Sequence, residues 1–353
     1  MGVKVGIVVR EQSGENTLRV LRARSLVDRT LRIKRKNGFL TIPLNREVST
    51  EELKDLNIEG EVVLEEFEEA TRRPSLSESL RKILTVEEMS LIPRSYDIIG
   101  DVCILQLPEK LQDRRRAIGE AFLKSMKNIR IVLNKTEPLS GEYRVGEYEV
   151  LAGEGGTETI YREHGCVFKL DISKVFFTPR LSAERARVAS LAKPGEVICD
   201  LFAGIGPFSI IIAKKNPGVK VYSCDINPSA YRYLVENIRL NKVEDRVKPY
   251  LGDARELSER DLKGIGDRII MNLPMSSEFY LDVACKTVKD SGGVVHLHVF
   301  LEKGVGADEK YASIEESFKD LGCETRLLSS RRIREVAPFK YHWGFDIEVK
   351  PKK

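Results

Sequence analysis

The chain has 353 residues, 42% of them hydrophobic and 32% charged, and a formal net charge of +4. That length exceeds an ordinary domain of about 100–200 residues, so two or three domains are expected, and the composition excludes a disordered polymer. No run approaches the roughly 18 consecutive apolar residues of a membrane span, and MGVKVGIVVREQSG has no apolar core before a cleavage site, so a cytoplasmic protein away from membranes is expected.

Charge is uneven from the start. Residues 1–36 hold ten Lys or Arg against three acids, whereas residues 47–70 hold ten acids against Lys54. Such a segment suits either a small domain that simply has oppositely charged faces or one whose basic face contacts RNA. Within it Lys36-Asn37-Gly38 reads as a turn before apolar Phe39-Leu40-Thr41-Ile42-Pro43, and the unit spans residues 1–70. Residues 71–92 open with TRRPS and read as a linker carrying a short helix.

Residues 93–165 read as an α+β unit. SYDIIGDVCILQLP is a β-branched apolar run, KLQDRRRAIGEAFLKSMKN has helical spacing, and IRIVLNK returns as strand. Alternation from Glu147 to Glu158 and again at Val167-Phe168-Lys169-Leu170 adds antiparallel strands.

Residues 166–353 change pattern. EVICDLF, GIGPFSIIIAKK, VKVYSCD, PSAYRYLVENIRLN, VKPYLGD, RIIMNLP and VVHLHVF alternate strand with helix or loop, the signature of a doubly wound, mostly parallel α/β sheet. In such sheets ligands sit beyond the carboxyl ends of the strands. Asp200 ends the first strand and leads into Gly204 and Gly206, where the backbone can approach a ligand, and Pro207 suits the start of a helix. The third glycine of a dinucleotide loop is replaced by Ser209, which disfavours a nicotinamide cofactor and hence a dehydrogenase. Asp225 closes the second strand twenty-one residues after Gly204, where a carboxylate reaches ribose hydroxyls, and Asp253 closes the third, near an adenine amino group. A nucleoside with an amino-acid tail and no pyrophosphate fits these parts, so S-adenosyl-L-methionine is the expected cofactor of a Rossmann-like methyltransferase domain.

The fourth strand ends in Asn272-Leu273-Pro274, where an Asn side chain and a backbone carbonyl held by proline can grip the edge of a planar acceptor. His296 and His298 share a face of VVHLHVF, but no third ligand is evident, so no metal is expected. Six cysteines lie at least twenty residues apart without a CxxC pair, which reads as buried reduced thiols. The run SSRRIREVAPFKYHWGF places Arg331, Arg332, Arg334, Lys340 and His342 near Tyr341 and Trp343, suited either to phosphates and an unpaired base or to a solvated edge hairpin.

YDIIGDVCIL, GEYR, LDISKVFFTPR with the ERAR that follows, DLFAGIGPFSI, DINP, GDA and NLP together resemble the archaeal and eukaryotic tRNA (guanine-37 N1) methyltransferase family. The resemblance covers the middle and C-terminal domains, and length and layout match for the N-terminal unit. It implies an enzyme that methylates N1 of guanosine 37 beside the anticodon of tRNA; separately, a monomer is expected because no heptad or evident exposed apolar helix demands a partner. A small N-terminal domain would engage the outer corner of the tRNA, while the other two hold the anticodon stem. Carried over by motif, Arg144 of GEYR would stabilise charge on O6, Glu184 would take the N1 proton, and Asn272 would orient the base. Phe177, Arg185, Phe202, Ile226, Ala254 and Pro274 would join Asp200, Gly204, Gly206, Asp225, Asp253 and Asn272 around the cofactor. Met275 and Ser276 after NLP depart from the family pattern at the rim of the base pocket.

Rival readings are an aminocarboxypropyl transferase acting on a tricyclic guanosine derivative at the same position, a methyltransferase that also acts on a wyosine precursor, and a tRNA-binding protein without catalysis. Asn-Leu-Pro argues against the first, and intact Arg144, Glu184, Asp225 and Asn272 argue against the last.

Overall fold

Asn37 and Gly38, at φ +52° and +79°, both occupy left-handed backbone, and the tight turn they make closes the first hairpin. The computed structural model describes residues 3–70, 75–93, 95–137 and 145–352, and the chain divides into two units, Met1–Glu78 and Ser79–Lys353. The first unit contains β1 (Val3–Arg10), α1 (Glu11–Ala23), β2 (Lys34–Lys36), β3 (Phe39–Pro43), α2 (Thr50–Asp55) and β4 (Glu61–Glu66). Its strands form one antiparallel sheet, β2-β3-β1-β4, and Ile7, Val9, Leu21, Leu40 and Ile42 fill its core. The basic and acidic stretches do not simply face apart: Lys34 pairs with Glu65 at 2.8 Å and Arg32 with Glu68 at 3.3 Å, so part of the charge separation is neutralised within the fold.

Two short helices follow, α3 (Leu76–Arg81) and α4 (Val86–Leu91), the latter started by a reciprocal cap between Thr85 and Glu88. Next come β5 (Asp97–Ile99), β6 (Val102–Leu105), α5 (Arg115–Ser125), β7 (Ile131–Lys135) and β8 (Tyr148–Gly153) in the order β5-β6-β7-β8. The apolar run at 95–108 is therefore two strands, because Gly100 folds it back at φ +60°, where a side chain would strike Thr159 at 2.2 Å. β6 and β7 run parallel across α5, as a strand-helix-strand order requires.

After the hairpin of β9 (Glu158–Glu163) and β10 (Cys166–Asp171) the chain forms α6 (Ser182–Leu191), β11 (Val197–Asp200), α7 (Pro207–Lys215), β12 (Lys220–Asp225), α8 (Pro228–Asn241), β13 (Val247–Leu251), α9 (Ala254–Arg260), β14 (Arg268–Met271), α10 (Leu281–Thr287), β15 (Gly293–Glu302), α11 (Ala307–Asp320), β16 (Cys323–Ala337) and β17 (Lys340–Pro351). The seven-stranded order is β13-β12-β11-β14-β15-β17-β16, parallel through β15 and antiparallel beyond it. The order reverses between β11 and β14, which opens a crevice at their carboxyl ends. Two separate cores flank the sheet, one including Ile198, Ile210 and Leu234, the other Leu297, Phe318 and Phe345. The β9–β10 hairpin belongs to the first: Asn237 accepts from Lys169 N–H at 2.7 Å and Asn241 from Val167 N–H at 2.8 Å, so two α8 side chains replace the strand partner that β10 lacks. All six cysteines are unpaired, five of them buried and Cys285 half-buried.

Candidate active site

Asp200 and Asp225 end β11 and β12, Asn272 follows β14 directly and Asp253 stands two residues beyond β13, so the loops at the carboxyl ends of these strands form a row along the crevice. At β11, Gly204 (φ +58°) and Gly206 (φ +87°) are left-handed, and a Cβ on Gly206 would meet Leu234 at 2.4 Å. Pro207 begins α7 directly behind them. Asp225, at the end of β12, accepts from Gly204 N–H at 2.7 Å and from Asn227 N–H at 2.9 Å. Burial pushes its carboxyl above the ordinary range, against the pull of those two backbone donors. The spacing of twenty-one residues thus ties the carboxylate to the glycine loop itself, leaving further lone pairs for a ligand's hydroxyls.

Asp200 sits below this surface. It is fully buried, accepts from Ser209 Oγ at 2.7 Å, and Ser209 in turn accepts from Ser223 Oγ at 2.7 Å. Burial pushes Asp200 up to about 7. Ser209, in place of a third glycine, therefore anchors the loop from beneath. Around the rim, Phe202 meets Tyr280 edge-on with centroids 5.1 Å apart, Ile226 is exposed, and Asp253 caps α9 by accepting from Arg255 N–H at 2.7 Å, with Ala254 buried behind it. Phe177 packs on Tyr161 at 5.0 Å and carries the Arg185 guanidinium 5.2 Å from its ring. Arg185 itself is buried, paired with Glu163 at 2.6 Å and donating to the Thr178 carbonyl at 3.1 Å. It and Asp200 act from behind the crevice, whereas the glycine loop, Asp225, Ile226, Phe202 and Asp253 line up at the strand ends. Tyr280 and Arg255, whose guanidinium lies 4.5 Å from the Tyr280 ring, carry no local sequence signal and complete the rim. A glycine cradle, a carboxylate with free lone pairs and flanking aromatics fit a nucleoside with an amino-acid tail.

Asn272 follows β14, and its side-chain oxygen is buried without a hydrogen-bond partner among the described residues. Pro274 accepts from Phe300 N–H at 3.2 Å, which docks the Asn-Leu-Pro segment onto β15. Arg144 lies outside the described residues.

Glu184, in the first turn of α6, is 5% exposed. Arg187 donates to both its oxygens at 2.9 and 2.8 Å, and Arg331 of β16 does the same at 3.2 Å each. Both guanidiniums also hold Asp346 of β17, at 2.8 Å each, and His296 Nδ1 lies 2.5 Å from Asp346. Burial raises the Glu184 carboxyl and Asp346 adds to that, while Arg187 and His296 pull the other way. Arg187 closes the ERAR motif and Arg331 belongs to the basic run from Ser329 to Phe345, but nothing local in the sequence pairs either with Glu184 or Asp346, and Asp346 carries no motif of its own.

The TRM5/TYW2 methyltransferase domain matches residues 159–326, the TYW2 N-terminal domain residues 76–157, and the tRNA methyltransferase 5 N-terminal domain residues 6–52. The tRNA (guanine(37)-N(1))-methyltransferase Trm5b of Pyrococcus abyssi is 41% identical over 98% of this chain and 99% of its own. The chain belongs to the TRM5/TYW2 methyltransferase family. Within that family, the complex of aTrm5 with tRNALeu aligns at TM-score 0.75 and 35% identity, covering 98% of this chain and 99% of its own. Methanocaldococcus jannaschii TYW2 in complex with AdoMet aligns at TM-score 0.57 and 30% identity, covered whole but reaching only 73% of this chain.

Proposed function

We propose that this TRM5/TYW2 family member transfers the methyl group of S-adenosyl-L-methionine to N1 of guanosine 37 in tRNA, acting as a cytoplasmic monomer. The observation that carries the reading is Asn272: a buried acceptor without a partner among the described residues, at the end of β14 beside the glycine loop, suits the N–H edge of a purine. The relatives' own substrates, guanosine 37 and tRNA, agree with it.

S-adenosylmethionine would supply an electrophilic methyl group. Asp225 would accept from its ribose hydroxyls, Gly204 and Gly206 would let its tail approach the backbone, and Asp253 would accept from the adenine amino group. Asn272 would orient guanine, Arg144 would offset charge on O6, and Glu184 would take the N1 proton as general base. Residues 1–70 would contact the outer corner of tRNA through a linker at 71–92, residues 93–165 would hold RNA, and residues 166–353 would form the Rossmann-like catalytic domain.

The test is to incubate the protein with unmodified tRNA transcript and S-adenosylmethionine labelled on the methyl group, then identify the labelled nucleoside. Label in 1-methylguanosine, lost when guanosine 37 is replaced by adenosine, is expected. The TYW2 N-terminal match at residues 76–157 is the feature shared with one rival, aminocarboxypropyl transfer, and a parallel reaction labelled in the carboxypropyl chain detects it. Label there and none from the methyl would overturn the reading.

A further inference from the structure

Glu184 and Asp346 share two guanidiniums. Arg187 of α6 and Arg331 of β16 each donate to both carboxylates, so the four side chains close a ring drawn from α6, β16 and β17. A carboxylate has about four lone-pair sites. The N–H bonds from Arg187 and Arg331 occupy those of Glu184, so a guanine edge reaches this carboxylate only where one guanidinium gives way. Both carboxylates are buried, and the two arginines, with side chains 28% and 22% exposed, form the outer side of the ring.

The ring has one weak side. Arg187 holds Glu184 at 2.9 and 2.8 Å, whereas Arg331 holds it at 3.2 Å twice, the longest bonds of the ring. Arg331 is better held elsewhere: it donates to Asp346 at 2.8 and 3.1 Å and to Ser329 Oγ at 2.9 Å, and Ser329 donates in turn to Asp346 at 2.9 Å. Parting Arg331 from Glu184 therefore breaks the two longest bonds and leaves the guanidinium anchored on Asp346 and Ser329.

The two carboxyls are also pushed in opposite directions. Burial raises Glu184 and the charge of Asp346 adds to that, against Arg187 and His296. Burial acts the same way on Asp346, but His296, Arg187 and Ser329 outweigh it and hold that group below its ordinary range. Asp346 thus stays ionised and keeps its cations, while Glu184 is the member able to take a proton.

We propose that Asp346 is a positioning residue for methyl transfer, holding Arg331 aside while the guanine N1–H edge takes the place of that guanidinium on Glu184. This rests on the guanosine-37 reading of the same site. Arg187 stays on Glu184 and orients it. As the methyl carbon bonds to N1 and its bond to sulfur breaks, the N1 proton passes to a Glu184 oxygen, and the electron pair of the N1–H bond becomes the new N1–C bond. The charged or titratable groups facing Glu184 are Arg187 on its own helix, Arg331 of β16, His296 and His298 of β15 and Asp346 of β17. Gly344 of β17 also faces it, where a Cβ would stand 3.5 Å from Glu184 Oε1 and 3.6 Å from Arg331 Nη2.

The experiment is single-turnover methyl transfer to unmodified tRNA at saturating S-adenosylmethionine, followed across pH for the full chain and for Asp346→Asn, Arg331→Met and the double variant. The rate rises with pH as Glu184 loses its proton. Asp346→Asn leaves both guanidiniums to Glu184 alone, so the plateau should fall about tenfold and the rise should move to lower pH, a shift that a merely structural role would not produce. Asp346→Glu, which keeps the charge, should recover part of the plateau. Arg331→Met removes a cation beside Glu184, so its rise should move to higher pH. With Arg331 already replaced there is no guanidinium to hold aside, and adding Asp346→Asn should then cost less than about twofold. Where Asp346→Asn fails to fold, Arg331→Met, on the edge strand, decides through its own shift. An unmoved rise in Arg331→Met, or the same loss from Asp346→Asn in both backgrounds, would overturn the positioning role and leave the guanosine-37 reading intact. A wild-type chain that methylates no guanosine 37 would overturn both.

Discussion

At Asp200 a single buried carboxyl does two things at once. It receives the Ser209 hydroxyl and so fixes the glycine loop from below, and burial lifts its pKa to about 7, far from the unfolded value near 3.8. A raised folded-state value means that its contribution to stability is fully present below the unfolded pKa and is lost as pH rises through about 7. Asp200→Asn should therefore gain stability relative to wild type between pH 4 and 8, read as a melting-temperature difference that grows with pH; a difference independent of pH would count against this. Asp225 faces the crevice instead, so Asp225→Ala should weaken S-adenosylmethionine binding by about tenfold or more, through lost acceptors and a loosened Gly204, as calorimetry would report. Glu184→Gln should leave that binding intact and slow single-turnover transfer about a hundredfold. Equal rates for variant and wild type would remove Glu184 from the reaction.

At the scale of elements, the sheet is a set of supports for loops. β15 shows how: Val295, Leu297 and Val299 face the core built on α10 and α11, so the intervening His296 and His298 must face α6 and α7. Period-two alternation placed two histidines on one buried face, and cross-strand Asp346 and diagonal His342 gave them partners. β16 is an edge strand with three register shifts, and those irregularities accompany the placement of Ser329, Arg331 and Arg334 along the same face. α8 performs a different task, since Asn237 both accepts from and donates to Lys169 of β10 and donates to the Ile205 carbonyl of the glycine loop. Asn237→Ala leaves those backbone groups unpaired and should cost about 2 kcal/mol. That corresponds to a melting temperature lower by roughly 5 °C, and an unchanged value would show that water replaces the amide.

On the scale of the whole molecule, the two units carry separate cores, Ile7, Leu21 and Ile42 in one and the paired cores of the doubly wound sheet in the other. A chain beginning at Ser79 should fold and bind S-adenosylmethionine with a Kd within about threefold of the full chain, while its affinity for tRNA falls. Loss of cofactor binding on that truncation would show the units to be interdependent.

The sequence by itself determined the doubly wound domain, its strand ends and the glycine loop, because these depend on local periodicity, turn chemistry and short spacings such as Gly204 to Asp225. It also marked Asn272 and Glu184 through motifs. What it left undecided was which polar residues lie inside and what they touch. Asp200 and Arg185 look like cofactor contacts in sequence, yet both are buried behind the crevice, since only packing decides which face of a loop or helix turns inward. The run from Ser329 to Phe345 read as phosphate contacts or a solvated edge, but His342 lies 1% exposed against His298, and Arg331 and Asp346 enclose Glu184 from strands more than a hundred residues away. Pairings across that distance come from sheet register, and register is set by the whole fold rather than by any window of sequence.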